Sequence, residues 1–316
     1  MSSRLVARVR GAVAGALLRR VAGPDPTAAR AAIHEAPGPR WFDEGSAIAR
    51  VHGDASMFPG GLAALLLQSL NPRAMAAVAA HSGYLSDPWG RLQRTATFLA
   101  ATTFGPADQA AQSVAVVRAV HERVRGVTPE GEPYHAADPH LITWVHVAEV
   151  TSFLAAHQRF GRRPLDAAGC DAYVAEAAVV GRALGGADVP ETFAELQARL
   201  EGYRPELRRS EAATQAARFL LLSPPLPWFA RPVYGLIALG GTSLLPDWSR
   251  APLALPRGRV VNRVLDTLGT VGGRLVTGTI RWALDAAPPG QPEQREQPGQ
   301  PDATPPGAPV VTGTGP

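Results

Sequence analysis

Lysine is absent from this chain of 316 residues; all 31 of its basic residues are arginine. That absence removes whole classes of chemistry. A Schiff base to pyridoxal phosphate, a P-loop and a lysine general base each need a primary amine whose pKa can be lowered. Arginine stays protonated and serves only as clamp, donor or electrostatic stabiliser. Cysteine occurs once, at Cys170 in Ala-Gly-Cys-Asp, so neither an intrachain disulfide nor a Cys-x-x-Cys-His cofactor attachment is available. An inert packed thiol is the expectation there. No run of about 20 apolar residues free of charge and proline occurs, so no spanning helix is expected. Residues 232–246 come closest, and they are too short and contain two adjacent glycines.

Catalytic signatures are missing as well. Gly-x-Ser-x-Gly, Gly-x-Gly-x-x-Gly after a strand, and His-Glu-x-x-His do not occur, so hydrolase and nicotinamide-dehydrogenase readings have no support. The net charge is only +4, and the arginines are scattered without interleaved aromatics. No nucleic-acid partner is therefore expected.

What is present is helical pattern. Hydrophobic residues make up 46% of the chain, with alanine and leucine dominant and strand-like alternation scarce. The spacing predicts helices over 59–69, 72–80, 87–104, 107–125, 138–159, 167–184, 190–202, 208–222 and 260–284, an all-α multi-helix bundle. Asp87-Pro88 and Asp138-Pro139 each place an N-cap before a first-turn proline, and Pro106 opens another helix. Gly105, Gly126 and Gly161 stand where left-handed C-caps are expected.

Three segments follow. Residues 1–40 form a basic lead-in, 41–286 the helical domain, and 287–316 a Pro/Gly-rich tail that cannot bury a core and is expected to be disordered. In the lead-in, Arg4, Arg8, Arg10 and Arg19-Arg20 flank an apolar stretch of eight residues with no small-x-small cleavage site. It reads as a basic amphipathic helix able to touch a membrane surface, on a chain otherwise expected in the cytoplasm; a plain surface helix is the alternative.

Two helices hold the residues with chemical potential. On 107–125, Val114, Val117, His121 and Val124 form one stripe, so His121 interrupts a valine face expected to be buried. A neutral buried imidazole needs a partner at each nitrogen or a metal at one. The stripe alone leaves open a core histidine bonded to a backbone carbonyl. On 87–104, Arg91, Arg94, Thr95, Phe98 and Thr102 share a face. Two arginines in a buried helix are costly unless they meet anions, or unless they reach solvent at the helix edge. A buried imidazole opposite a cationic helix is one way a helical protein holds a haem. A third helix carries Trp144, His146 and Glu149, with His140 at its start. A non-haem metal site using His140, His146 and Glu149 is a weaker reading, because no His-x-x-x-His pair occurs and the Glu-x-x-His order of di-iron bundles is reversed.

These residues fall in a recognisable order: Gly60-Gly61, Asn71-Pro72, His81-Ser82-Gly83-Tyr84, Arg91-x-x-Arg94-Thr95, Phe104-Gly105, His121-x-x-Val124-x-Gly126, Tyr134-x-Ala136-x-Asp138-Pro139 and Trp144-Val145-His146. Tyr173 and Pro190-Glu191-Thr192 continue it. Over roughly residues 45–250 the chain resembles the MpaB and rubber oxygenase (latex-clearing protein) catalytic domain. The resemblance implies a globin-like core holding one haem b, molecular oxygen as co-substrate, and an apolar substrate of isoprenoid or lipid type. It makes His121 the proximal iron ligand and the helix with Arg91, Arg94 and Thr95 the distal wall, and His146 matches a second histidine position. Phe98 is expected to line the apolar pocket, Arg91 to bind a propionate or hold the distal helix, and Arg94 and Thr95 to orient bound oxygen. Rubber-cleaving members carry lysine where this chain has Arg94. Arginine is a poor iron ligand, so the distal site is expected to hold water or oxygen with Arg94 hydrogen-bonding to it. With the distal carboxylate of the rubber-cleaving members also unmatched, these departures point to a smaller lipid or terpenoid substrate rather than polymer cleavage. A non-catalytic haem or apolar-ligand carrier on the same fold is the alternative.

Overall fold

The computed structural model describes residues 3–285. The tail expected to be disordered from residue 287 lies outside the described residues. In chain order the helices are α1 Ser3–Ala22, α2 Pro26–His34, α3 Ala47–His52, α4 Met57–Gln68, α5 Pro72–His81, α6 Pro88–Phe104 and α7 Ala107–His121. They continue as α8 Pro139–Phe160, α9 Ala167–Leu184, α10 Phe193–Tyr203, α11 Glu211–Leu222, α12 Arg231–Ser243, α13 Asp247–Arg250 and α14 Arg259–Leu284. Among the described residues the only sheet is a hairpin, β1 Arg125–Val127 antiparallel to β2 Pro133–His135. The fold is all-α.

The start signals are used as caps. Asp87 accepts from the Gly90 amide at 2.9 Å and opens α6; Asp138 accepts from the His140 amide at 2.9 Å and opens α8. Proline follows both, where its missing N–H costs nothing, and such a cap is worth about 1 kcal/mol. The stop signals work differently from expectation. Gly105 and Gly161 end α6 and α8 in extended backbone, with φ of −80° and −61°, and Gly126 lies inside β1. At Gly105 a side chain would press on the Ala101 carbonyl, and at Gly161 on the His157 ring, so crowding selects glycine there. The left-handed cap is Gly185, φ 102°, at the end of α9. Helix α7 stops at His121 rather than residue 125, because the chain turns at once into the β1–β2 hairpin.

Helix α8 is the spine. It packs against α4, α9, α10 and α14, and Trp144, Val147, Ala148 and Ala156 on it are entirely shielded from solvent. Around it lie Leu66, Leu67 and Leu70 from the α4 side and Tyr173 and Val174 from α9, in one continuous core. Each such fully buried aliphatic contributes about 1.5–3 kcal/mol. Gly60 lets α4 close on α8, since a Cβ there would sit 2.9 Å from that of Ala156. The lead-in is tied to this body: Arg40 donates to the carbonyls of His34 and Ala36 at the end of α2 and to that of Phe104 at the end of α6. Helix α1 lies against α6 and α14. No single described helix is long and apolar enough to cross a membrane; α4 and α5 pass that test only as a pair bent by 108°.

Candidate active site

A line of polar side chains runs through the interior, and α8 supplies its middle. Glu149 stands among Val147, Ala148 and Val150 on a helix that is otherwise apolar at this level. It is only partly exposed, and protein atoms crowd it closely. Burial raises its carboxyl to about 7, against the pull of the Gln68 side chain and the Arg91 charge. The carboxyl therefore holds or releases a proton near neutrality. Arg91, from the first turn of α6, is half-buried and donates to Ser82 Oγ; burial lowers its pKa, with Glu149 and Tyr84 opposing.

Beyond Glu149 the line continues through Tyr173 of α9, which is fully buried and whose hydroxyl burial and the Glu149 charge push well above the usual phenol range. The Tyr173 hydroxyl lies 3.3 Å from His52 Nε2, and His52 Nδ1 lies 2.8 Å from Thr103 Oγ1 near the end of α6. Burial holds the His52 imidazole down to about 3, so it is neutral. Arg91 and Thr103 are twelve residues apart on one helix, so the series spans about 18 Å. His52 carries no signal in the sequence: it ends a six-residue helix too short to show a stripe.

The expected site residues divide into two groups. His121 is on the inward side, with Val114 buried and Val117 and Val124 half-buried beside it. Its Nδ1 is buried without a hydrogen-bond partner, and burial first, then the nearby His135, lowers its pKa. His146 is buried too, its Nε2 also unpartnered; its ring lies where a Cβ on Gly181 would come within 3.0 Å. Burial, then Arg182, brings it down to about 4. Phe98 is half-buried, and Thr102 is buried with its hydroxyl donating to the Phe98 carbonyl at 2.9 Å.

Arg94 and Thr95 are different. Both are exposed, which corrects the expectation that this whole face of α6 is buried. Arg94 meets Asp87 at 3.2 Å, with both side chains more than half exposed. The anion expected for it is thus its own helix cap, and the first two turns of α6 lie along the surface. His140 is also at the surface, with Nε2 2.7 Å from Glu206, so His140, His146 and Glu149 are not gathered. No cluster of three His, Cys, Asp or Glu able to hold a metal occurs among the described residues. A surface cleft of about 510 Å³ lies elsewhere, between α10 and the turn after α9, lined by residues such as His140, Asp188 and Tyr203; it includes none of His121, Glu149 and Arg91.

A haem can be tested against these residues. Its porphyrin brings four of the iron's ligands, so the protein needs to offer one neutral imidazole rather than a cluster. His121 offers that, and ligation would satisfy a buried nitrogen that otherwise has no partner. Arg91 offers a cation and Phe98 with the valine stripe an apolar wall. The donor set fits.

Comparison with known proteins agrees on the kind of protein. A family model described as ER-bound oxygenase mpaB/B'/Rubber oxygenase, catalytic domain, matches residues 49–282. No curated protein and no solved structure matches.

Proposed function

Because the chain belongs to the family of mpaB and rubber oxygenase catalytic domains, we propose that it is a haem b-dependent oxygenase acting on an apolar substrate of isoprenoid or lipid type. His121 is the proximal ligand in this reading, in a globin-like arrangement between α6 and α7. The observation that carries it is the orphaned, buried Nδ1 of His121 on the inward stripe of α7. A haem held there supplies the redox chemistry that joins molecular oxygen to the substrate.

The chain's own residues do the rest. His121 stays neutral near pH 7 because burial lowers its pKa, which keeps a lone pair available for metal. Arg91 stabilises negative charge in a setting where water is scarce and a charge acts strongly. Glu149 holds a proton at its carboxyl below about pH 7, with the Arg91 charge acting on it. His146 packs neutral beside Gly181 and shapes the wall. Arg94 and Thr95, at the surface end of the same helix, act at the rim, where Arg94 can leave Asp87 to meet an entering polar group. Phe98, Val114 and Val117 give the apolar lining that admits hydrocarbon and excludes water.

An absorption spectrum of the purified protein tests this directly. A Soret band that shifts on reduction and again with carbon monoxide is expected, and His121→Ala should lose it while retaining helical content. A His121→Ala protein with an unchanged haem spectrum overturns the ligand assignment. Oxygen uptake with a panel of terpenoids separates an oxygenase from a carrier, which would bind them without turnover.

A further inference from the structure

Helix α14 wears its hydrocarbons on the outside. Its inner face has small residues in the middle, Gly269, Gly272 and Gly273, followed by the buried Val276 and Ile280. Helix α12 runs antiparallel against them, with Leu236 beside Gly272 and Ser243 beside Gly269; a Cβ on Gly240 would lie 3.1 Å from the Gly273 Cα. The outer face carries Val260, Val264, Leu268, Val271, Leu275 and Trp282, at spacings of four, four, three, four and seven. They form one stripe along the whole helix, each 41–76% exposed. A soluble helix normally buries such a stripe.

Three further observations say what the stripe meets. Trp228 and Phe229, 80% and 67% exposed, precede α12, so the antiparallel pairing brings them to the Trp282 end of α14. Helix α1 lies alongside, its Arg10 guanidinium 5.4 Å from the Trp282 ring, and shows Leu5, Val9 and Val13 to solvent. Charge is one-sided: residues 3–22 and 231–285 hold twelve arginines against three aspartates. The aspartates are engaged, Asp266 with buried Arg250 at 2.6 Å, Asp285 with Arg162, and Asp247 with Asn262 at 3.1 Å. Arg259, Arg263 and Arg274 on α14 are exposed and meet no carboxylate among the described residues.

We infer that this face docks on an anionic lipid surface, with the α14 stripe entering the acyl boundary and the arginines at headgroup level. An aliphatic stripe edged by arginine, with tryptophan and phenylalanine at one end, is the composition an interfacial helix needs. A second copy of the chain fits less well, because it would set the same arginines against themselves. The earlier expectation placed lipid contact on the N-terminal helix; the structure gives the C-terminal helix the longer stripe. The inference stands apart from the oxygenase reading, and its test needs no turnover.

The full chain is sedimented with phosphatidylcholine vesicles and with equal mixtures of phosphatidylcholine and phosphatidylglycerol. It is expected to partition onto the mixed vesicles and far less onto the neutral ones. Leu268→Glu with Leu275→Glu should lower partitioning at least about tenfold with unchanged melting. Arg259→Gln, Arg263→Gln and Arg274→Gln together should abolish the preference for anionic vesicles, about tenfold or more. Should the glutamate variant fail to fold, the arginine variant carries the test alone. A wild-type chain that stays in solution with both vesicles overturns the inference. So does a dimer by light scattering that Leu268→Glu with Leu275→Glu dissociates while vesicles are ignored, which would make the stripe a self-association face.

Discussion

Helices α8 and α14 are the two longest of the body, 22 and 26 residues, and they are built on opposite plans. Helix α8 is mostly buried and places polar groups such as His146 and Glu149 among hydrocarbon. Helix α14 faces the core with three glycines in its middle and with Val276 and Ile280 further on, and it turns a second stripe of valine, leucine and tryptophan outward. Each breaks the rule that polar groups seek water and apolar groups avoid it. In α8 the exception costs stability, since burial works against the charged forms of His146 and Glu149. In α14 it costs exposure of apolar surface. Exceptions at that cost are the ones from which the two proposals start, a polar interior beside α6 and α8 and an exposed apolar face on α14.

The comparison breaks most visibly on the inner face of α14. At Gly273 a Cβ would drive into the Phe160 ring, and the neighbouring backbone is that of Gly240, which cannot yield a side chain. Gly273→Leu should therefore push α14 away from α8, at a cost of about 3 kcal/mol or more. A chemical denaturation midpoint unchanged by Gly273→Leu would mean that the two helices do not pack this closely.

Much of this was legible in the sequence, and the limits are physical. Helices α4 to α11 and α14 were readable because capping residues and 3.6-residue periodicity are local properties. Asp87 and Asp138 acted as read. The inward stripe of His121 was readable for the same reason. The exposure of Arg94 and Thr95 was not, because a helix face shows which residues lie together but not which neighbour covers them. The β1–β2 hairpin was missed because three-residue strands leave no period to detect. Glu149 was visible only as a weak metal-ligand candidate with His140 and His146, and the approach of Tyr173 to His52 joins α9 and α3, a long-range juxtaposition that spacing does not encode.

Inside α8 the sharpest probe is pH. The Glu149 carboxyl titrates near 7 when folded and near 4.5 in a model peptide. The folded state therefore holds its proton more tightly. The stability this contributes is complete below pH 4.5 and is lost as pH rises through 7. His52 and His146 run the other way: held to about 3 and about 4 against 6.5, they favour the fold above pH 6.5 and lose that contribution as pH falls through their folded values. The two histidines outweigh the one carboxylate between pH 4.5 and 6.5, so stability should rise across that range and level off near pH 7. Glu149→Gln should raise the neutral and alkaline plateau, gaining about 2 kcal/mol over the wild type at pH 8 and little at pH 5. Parallel thermal melts at the two pH values check it; an equal shift at both would show that Glu149 is already ionised in the folded protein.

The smallest effect belongs to the outer face of α14, and its smallness is the point. Leu268→Ser removes a side chain of the same kind as Leu66, which is entirely buried, from a position 51% exposed. Truncating a buried leucine typically costs about 2–5 kcal/mol. Because the described residues leave it half exposed, Leu268→Ser should change stability in solution by no more than about 0.5 kcal/mol. A cost of buried-leucine size would mean that the chain covers its own stripe, leaving lipid nothing to replace. A negligible cost in solution, together with weaker partitioning onto anionic vesicles, would assign the leucine to the contact rather than to the fold.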